Sequence, residues 1–124
     1  MSALLTDVLA GRRLLIVEDE YMIAEDLARA LRELGADVIG PAATVADALG
    51  LIGTERQVHG AVLDINLRGE HVYTLADALR ARGIPFVFAT GYDAWIIPPP
   101  YSDVPRIEKP VDPHALARML GESS

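Results

Sequence analysis

The chain has 124 residues, a length that suits one domain with a core large enough to fold alone. Its formal net charge of −7 opposes binding to a phosphate backbone, so nucleic acid is not expected as a partner. The sequence has no cysteine, which excludes disulfides, thiol catalysis and thiolate metal sites and fits a cytoplasmic location. No apolar run approaches the roughly 18 residues that cross a bilayer, and the start lacks a secretory signal pattern, so no membrane association is expected.

Strands and helices are predicted to alternate along the chain. Residues 1–12 are interpreted as a short leader, 13–121 as the folded domain and 122–124 as a tail. Apolar runs predict buried strands at Leu14–Val17, Val38–Ile39, Ala61–Ile65, Ile84–Ala89 and Val104–Ile107.

Helices are predicted between these strands, where apolar residues recur at helical spacing. Their apolar faces lie within Ile23–Leu34, Val45–Ile52, Val72–Leu79 and Leu116–Leu120. Gly35 is expected to end the first helix, and Thr44 and Asp112 to cap the N-termini of the second and the last. The three prolines Pro98–Pro100 cannot lie inside a helix, so the fourth helix, between the fourth and fifth strands, is expected to be short or disrupted.

This alternation predicts an α/β fold with a five-stranded parallel sheet and helices on both faces. The expected arrangement is flavodoxin-like and doubly wound, with strand order 2-1-3-4-5. In such sheets, ligands bind at the carboxyl ends of the strands, beside the point where the strand order reverses. Functional residues are therefore expected directly after the strands.

Five polar residues stand at those positions. Glu18 and Asp19 follow the first strand, Asp64 ends the third, Thr90 the fourth and Lys109 the fifth. Strands one and three are neighbours in the expected order, so three carboxylates converge and would repel one another. A Mg²⁺ ion relieves that repulsion, because it takes oxygen ligands and often shares its shell with a phosphoryl group. With a hydroxyl and an ammonium beside it, an Asp carboxylate can act as a nucleophile and accept a phosphoryl group.

Each of these features alone has an ordinary structural interpretation. Glu18 and Asp19 could serve the N-terminus of the following helix, where negative charge is stabilising. Asp64 could be a turn residue, Thr90 a plain strand end and Lys109 a surface residue. Their occurrence together, each at a matching strand end and in order, favours a phosphoryl-accepting site.

The sequence from about Arg13 to Leu120 resembles a response-regulator receiver domain of two-component signalling. The segments that carry the resemblance are Val17–Glu20, Leu63–Leu67, Thr90–Gly91 and Lys109–Pro110. The segment Phe88–Tyr92 also resembles the Phe-Ala-Thr-Gly-X-Tyr signature of a subfamily of single-domain, usually bacterial, receivers.

The resemblance implies specific roles for the site residues. Asp64 accepts phosphate from the phosphohistidine of a sensor histidine kinase or phosphotransfer protein, beside Thr90 and Lys109. Asp19 ligates Mg²⁺ directly, Glu18 acts through a metal-bound water, and the backbone carbonyl of Asn66 is the third protein ligand. The protein is then a signalling phosphoacceptor with at most weak autophosphatase activity rather than an enzyme.

Two departures from the family pattern affect the expected output. Arg106 stands where receivers usually carry a switch aromatic, and Pro98–Pro100 disrupt the fourth helix, a common output surface. Tyr92 and the segment Trp95–Ile97 are therefore expected to report phosphorylation to a partner. No output domain follows Ser124, so a separate downstream protein is expected, with the receiver a monomer or a phosphorylation-dependent homodimer.

Two other classes of function compete with this interpretation. The same fold could serve as a protein-interaction module that is never phosphorylated. A flavin carrier is disfavoured because the acids from Glu18 to Glu20 would repel the flavin phosphate. A phosphatase with an Asp nucleophile is disfavoured because Asn66 stands where such enzymes need a second Asp.

Overall fold

A computed structural model describes residues 8–55, 57–67, 72–91 and 97–122 of the chain. Strands and helices alternate through them in the predicted order. The strands are β1 (Arg13–Val17), β2 (Asp37–Ala42), β3 (Gly60–Asp64), β4 (Phe86–Thr90) and β5 (Arg106–Glu108). The helices are α1 (Tyr21–Glu33), α2 (Val45–Thr54), α3 (Tyr73–Ala81) and α4 (Pro113–Glu122), and a 3-10 turn spans Pro99–Tyr101.

The five strands form one parallel sheet in the order β2-β1-β3-β4-β5, which confirms the predicted architecture. Every residue of β3 and β4 is buried, as expected for central strands covered on both faces. Leu63 and Phe88 belong to the core on the face covered by α2 and α3. Val62 and Val87 belong to the core on the opposite face, together with residues of α1 and α4.

The predicted caps are present at the helix ends. Thr44 Oγ1 accepts a hydrogen bond of 3.0 Å from Asp47 N–H at the start of α2. Asp112 Oδ1 accepts one of 3.0 Å from His114 N–H at the start of α4. Gly35, directly after α1, has a φ of 98°, a conformation that glycine adopts without strain.

Several boundaries differ from the prediction because backbone contacts override the local pattern. β2 continues through Gly40 and Pro41 to Ala42. Its pairing with the β1 segment is prolonged by Glu18 N–H, which donates to Ala42 C=O at 2.9 Å. The fifth strand was predicted to begin at Val104, but Val104 N–H bonds to Tyr101 C=O in the preceding turn. Likewise β4 begins at Phe86, two residues later than predicted.

Ile23 is the residue for which the predicted buried face of the first helix is wrong. Its relative exposure is 38%, whereas Ala24, Leu27 and Leu31 of the same helix are buried. Ile23 lies in the first turn of α1, beyond the end of β1, where it lines a cavity instead of the core.

Residues 97–105 are the part of the β4–β5 connection, beyond Gly91, that the structure describes. They contain one 3-10 turn and no α-helix, which is consistent with the predicted short or disrupted helix. This turn packs on α3 through a ring stack of Tyr101 on Tyr73, with centroids 4.6 Å apart. Tyr101 Oη donates to Asp77 at 2.9 Å, and Arg80 donates to Pro100 C=O at 3.0 Å and to Asp103 at 2.7 Å. We call these contacts between α3 and the turn the Tyr73–Tyr101 contact.

Residues 8–12 lead into β1 at the amino-terminal edge of the parallel sheet. Leu9 is 2% exposed and its N–H donates to Leu34 C=O at 2.8 Å, so this part of the leader packs on the domain. Within the four described ranges, no helix is long and apolar enough to cross a membrane.

Substitution of Gly40 by alanine is expected to destabilise the fold more than the same change at Gly83. Both glycines have positive φ, 88° and 69°, so each substitution introduces about 1–2 kcal/mol of backbone strain. Only at Gly40 would the new Cβ collide with backbone, 2.7 Å from Ala42 N and 3.3 Å from Ile16 O. Urea unfolding should give Gly40→Ala a loss of about 3 kcal/mol or more and Gly83→Ala about 1–2 kcal/mol. Equal losses would mean that β2 relaxes around the methyl group.

Candidate functional site

Three carboxylates meet at the carboxyl edge of the sheet. Glu18 and Asp19 follow β1, and Asp64 is the last residue of β3, the strand beside β1. One carboxylate oxygen from each of the three residues lies within 4.8 Å of the others. Glu18 is 6% exposed and Asp64 3% exposed, whereas Asp19 is partly exposed. The parallel register therefore brings together the three acids that the sequence predicted to converge.

Backbone amides fix the orientation of the two buried acids. Glu20 N–H donates to Glu18 Oε2 at 3.1 Å, and Asn66 N–H donates to Asp64 Oδ1 at 3.0 Å. Each bond joins a carboxylate to the amide two residues later, so the turns after β1 and β3 hold the side chains in place. Asn66 itself is exposed.

Lys109, the only lysine of the chain, links the two buried acids. Its Nζ lies 3.0 Å from Glu18 Oε1 and 3.0 Å from Asp64 Oδ2. Its backbone N–H donates to Thr90 C=O at 2.9 Å, which ties the residue after β5 to the end of β4. The Thr90 side chain lies at the same edge of the sheet and is buried.

Burial and mutual repulsion shift the protonation of this cluster. Burial raises the pKa of Glu18 from its usual 4.5 to about 7; Asp64 adds to the rise, and hydrogen bonds from Glu20 and Lys109 oppose it. Burial alone would lower the pKa of Lys109, but its hydrogen bonds and charge interactions with Asp64 and Glu18 outweigh burial and raise it. The cluster contains three carboxyl groups and one ammonium, which contacts two of them, so the site retains an excess of negative charge.

An apolar cavity of about 520 Å³ opens beside the acids, between α1 and the segment that follows β5. Ile23, Leu27 and Val111 line its apolar part, while Glu18, Asp64 and Lys109 border it. Tyr21 and Met22, which precede Ile23 in α1, are 74% and 70% exposed. The carboxyl edge of the sheet therefore adjoins an apolar cavity, and large apolar side chains are exposed at the start of α1.

Solved structures with the same architecture identify the family. SdrG from Sphingomonas melonis Fr1 is 36% identical with a TM-score of 0.68, and BeF3-activated SdrG from Pseudomonas melonis Fr1 is 40% identical with a TM-score of 0.74. Each match covers 90% of this chain and 95% of the other. The receiver domain of the hybrid histidine kinase CckA is 27% identical over 90% of this chain and 97% of its own, with a TM-score of 0.72. The chain belongs to the response-regulator receiver domains.

Other comparisons give no further match to this receiver domain. No protein-family model and no curated protein matches the sequence.

The receiver structure places the predicted site residues as follows. Glu18, Asp19, Asp64 and Lys109 lie together, and Thr90 ends the strand next to Asp64. Arg106 is exposed on β5, opposite Phe88 in the register. The predicted readout residues Tyr92, Trp95 and Ile96 lie outside the described residues, as do 1–7 of the predicted leader.

Sequence reasoning missed two sets of contacts. It assigned Lys109 to the phosphoryl group without predicting that the ammonium bridges Glu18 and Asp64. It also missed the Tyr73–Tyr101 contact, although Tyr73, Asp77 and Arg80 stand at spacings that place them on one face of a helix. The sequence signal for this contact was an aromatic and two charged residues on one helix face. Tyr101, directly after three prolines, was the candidate partner.

The metal-free protein is expected to lose stability as the pH rises from about 4.5 to about 7. Glu18 titrates near 4.5 in the unfolded chain and near 7 in the folded one, so the folded state binds more protons in that window. The loss should be on the order of 1–3 kcal/mol and should be absent in Glu18→Gln. Thermal unfolding in the presence of a chelator, at half-unit pH steps, measures it. A wild-type profile as flat as that of Glu18→Gln would contradict the shifted pKa.

Proposed function

We propose that this receiver domain is a phosphoacceptor of a two-component phosphorelay and that Asp64 takes the phosphoryl group. One observation carries the proposal: a buried carboxylate, Asp64, lies 3.0 Å from the only lysine and within 4.8 Å of two further acids. A cluster of this kind is unfavourable for stability alone, because burying like charges costs free energy. The cluster suits a site that binds a negatively charged phosphoryl group between the Lys109 ammonium and a metal cation.

The proposed step is a phosphoryl transfer from a phosphohistidine to Asp64. A carboxylate oxygen of Asp64 forms a bond to phosphorus while the phosphorus–nitrogen bond of the donor breaks. The bonding electrons leave with the imidazole, and the product is an acyl phosphate on Asp64. We assign the Lys109 ammonium, which lies 3.0 Å from Asp64, and the hydroxyl of buried Thr90 as the groups that interact with negative charge on the transferred oxygens.

The donor set fits Mg²⁺. The side chains of Glu18, Asp19 and Asp64 offer hard oxygen ligands within 4.8 Å of one another, and the pKa of Glu18 near 7 reflects burial among like charges that a cation would relieve. We assign Asp19 and Asp64 as direct ligands, Glu18 as a ligand through water and the backbone carbonyl of Asn66 as the third protein ligand. When bound, Mg²⁺ supplies charge neutralisation for the phosphoryl oxygens.

The apolar surface beside the site supports a protein as the phosphodonor. Ile23, Leu27 and Val111 line the cavity next to Asp64, and Tyr21 and Met22 are exposed in the same turn of α1 as Ile23. A sensor histidine kinase or a phosphotransfer protein could bury these side chains while presenting its phosphohistidine to Asp64. A small-molecule donor needs no such surface.

The remaining assignments follow the sequence pattern. We propose a cytoplasmic bacterial receiver of the Phe-Ala-Thr-Gly-X-Tyr type that acts without enzymatic turnover beyond weak self-dephosphorylation. Tyr92, Trp95 and Arg106 are proposed to transmit the phosphorylated state to a downstream protein partner, in place of the usual switch aromatic.

Intact-mass spectrometry after incubation with acetyl phosphate and Mg²⁺ tests the proposal. We expect a mass gain of one phosphoryl group that is lost on treatment with hydroxylamine, as an acyl phosphate requires, and that peptide mapping assigns to Asp64. The gain should disappear when Mg²⁺ is chelated. A chain that takes up no phosphoryl group from acetyl phosphate, and none from any histidine kinase of its source organism, would instead be a protein-interaction module on the receiver fold.

A further inference from the structure

The cavity beside the acids has the size of a small-molecule site. Its volume of about 520 Å³ lies within the range of about 300–1,000 Å³ that is usual for ligand pockets in proteins. The sheet contributes Ile16, Val62 and Ala89 to the lining, all three from the core on the face covered by α1 and α4. Val111, after β5, contributes to the opposite wall. A molecule in this cavity therefore contacts apolar side chains from several parts of the fold.

One face of α1 supplies the helical wall of the cavity. Ile23, Leu27 and Ala30 stand at helical spacing, so they share one side of the helix, and all three line the cavity. Leu27 is buried and Ala30 half-buried, whereas Ile23 is 38% exposed. The small side chain of Ala30 leaves room between α1 and the sheet. Covering the exposed apolar surface of this wall with an apolar ligand is favourable.

The charged residues around the cavity are mostly acidic. Glu18, Asp26 and Asp64 line it, and Lys109 is the basic residue among its described lining residues. The Lys109 ammonium already lies 3.0 Å from Glu18 and from Asp64, so its charge is balanced within the cluster. Asp26 lies 3.8 Å from Arg29, in a pair whose side chains are 68% and 70% exposed, and such a pair attracts only weakly. The border of the cavity therefore carries net negative charge.

An apolar lining with an acidic border is complementary to an apolar molecule that carries one positive charge. The hydrocarbon part gains free energy when it leaves water for the lining, and the positive charge is attracted by Asp26 and by the acid cluster. An apolar carboxylate would bury the same hydrocarbon but would be repelled by these acids. A strongly hydrated cation without a hydrocarbon part would gain nothing from the apolar wall.

We propose that the cavity lined by Leu27 and Ala30 and bordered by Asp26 binds a small apolar ammonium ion, with its hydrocarbon part held against α1. The binding itself does not depend on the phosphoryl chemistry. A consequence of the binding rests on the proposed function: a positive charge beside Glu18 and Asp64 opposes the binding of a second cation there, so the ligand slows phosphoryl uptake.

An NMR titration of the full chain with three matched probes, in the presence of a chelator, tests the binding. The probes 2-phenylethylamine, 2-phenylethanol and 3-phenylpropionate share a phenyl group and differ in charge. The amine should bind saturably with a Kd in the millimolar range or tighter, and its chemical-shift changes should lie in α1 and residues 110–113. Its affinity should exceed that of the alcohol by about tenfold or more, and the carboxylate should bind more weakly than the alcohol.

Two variants with matched controls separate the apolar contribution from the charge. Ala30→Leu places a larger side chain in the cavity and should weaken binding of both the amine and the alcohol by about tenfold or more, whereas Ala46→Leu, at an exposed position of α2, should not. Asp26→Asn should weaken binding of the amine about threefold or more and leave the alcohol unchanged. Asp47→Asn, also exposed on α2, should change neither. Circular dichroism checks that each variant is folded.

Phosphoryl uptake from acetyl phosphate and Mg²⁺ measures the consequence for the site. Saturating 2-phenylethylamine should slow uptake by the wild-type chain severalfold and leave uptake by Ala30→Leu unaffected. A chain that takes up no phosphoryl group even without the amine would contradict the proposed function, while the titration would still decide the binding. The proposal would be overturned by an amine that does not bind or by amine binding unchanged in both Ala30→Leu and Asp26→Asn. Equal affinities for the amine and the alcohol would also overturn it, because the cavity would then take an uncharged apolar group, such as a side chain of a partner protein.

Discussion

An Asp64→Asn variant is expected to take up no phosphoryl group from acetyl phosphate in the presence of Mg²⁺. Asparagine keeps the size of the side chain and can still accept the hydrogen bond of 3.0 Å from Asn66 N–H. It has no anionic oxygen to form the acyl phosphate, and the loss should therefore be complete instead of partial. Intact-mass spectrometry measures the phosphorylated fraction over time.

Asp47→Asn is the matched control for this variant. Asp47 is an exposed aspartate in the first turn of α2, and its backbone N–H rather than its carboxylate serves the Thr44 cap. The same chemical change there should leave phosphoryl uptake at the wild-type rate. Uptake by Asp64→Asn at more than a trace, with the group mapped to Asp19 or Glu18, would show that the cluster and not Asp64 itself defines the acceptor.

The sequence predicted the parts of the fold that depend on chain-local patterns. β3 and β4 are largely apolar runs without alternating polar residues. Central parallel strands are buried on both faces and have this pattern, so both strands could be predicted from the sequence. Thr44 and Asp112 were predictable as caps because each side chain bonds to an amide a few residues away. Convergence of Glu18 and Asp64 followed from topology alone, since neighbouring parallel strands end at the same edge.

The parts that could not be predicted depend on contacts between segments distant in sequence. Nothing near Lys109 in the chain indicates that its ammonium lies 3.0 Å from both Glu18 and Asp64, because that geometry depends on how three strand ends align. The exposure of Ile23 likewise reflects where the sheet ends beneath α1, which helical periodicity does not encode. The continuation of β2 through Pro41 depends on its contact with the segment after β1.

The Lys109→Met variant should be impaired in both stability and phosphoryl uptake. The substitution keeps a long apolar side chain and removes the ammonium that lies 3.0 Å from Glu18 and from Asp64. Breaking a buried ion pair on one side costs about 3–5 kcal/mol, because the remaining charge is left uncompensated. Urea unfolding with a chelator present should detect this loss at pH 8. At pH 5.5 the loss should be smaller, because the pKa of Glu18 is already about 7 in the wild-type chain and its protonation removes one of the two charges.

Phosphoryl uptake by Lys109→Met should fall by about 100-fold or more, the usual effect of removing one donor that stabilises developing negative charge. Added Mg²⁺ should restore much of the stability, because a cation among Glu18, Asp19 and Asp64 compensates the same charges. It should not restore the uptake rate if Lys109 has the proposed role, because a bound cation would not replace an ammonium that contacts the phosphoryl oxygens. Lys109→Arg keeps the charge but replaces a compact ammonium with a planar fork, so it should retain the stability and lose part of the rate. If Mg²⁺ rescued both properties of Lys109→Met equally, Lys109 would be a counter-charge for the acids alone and would have no contact with the phosphoryl group.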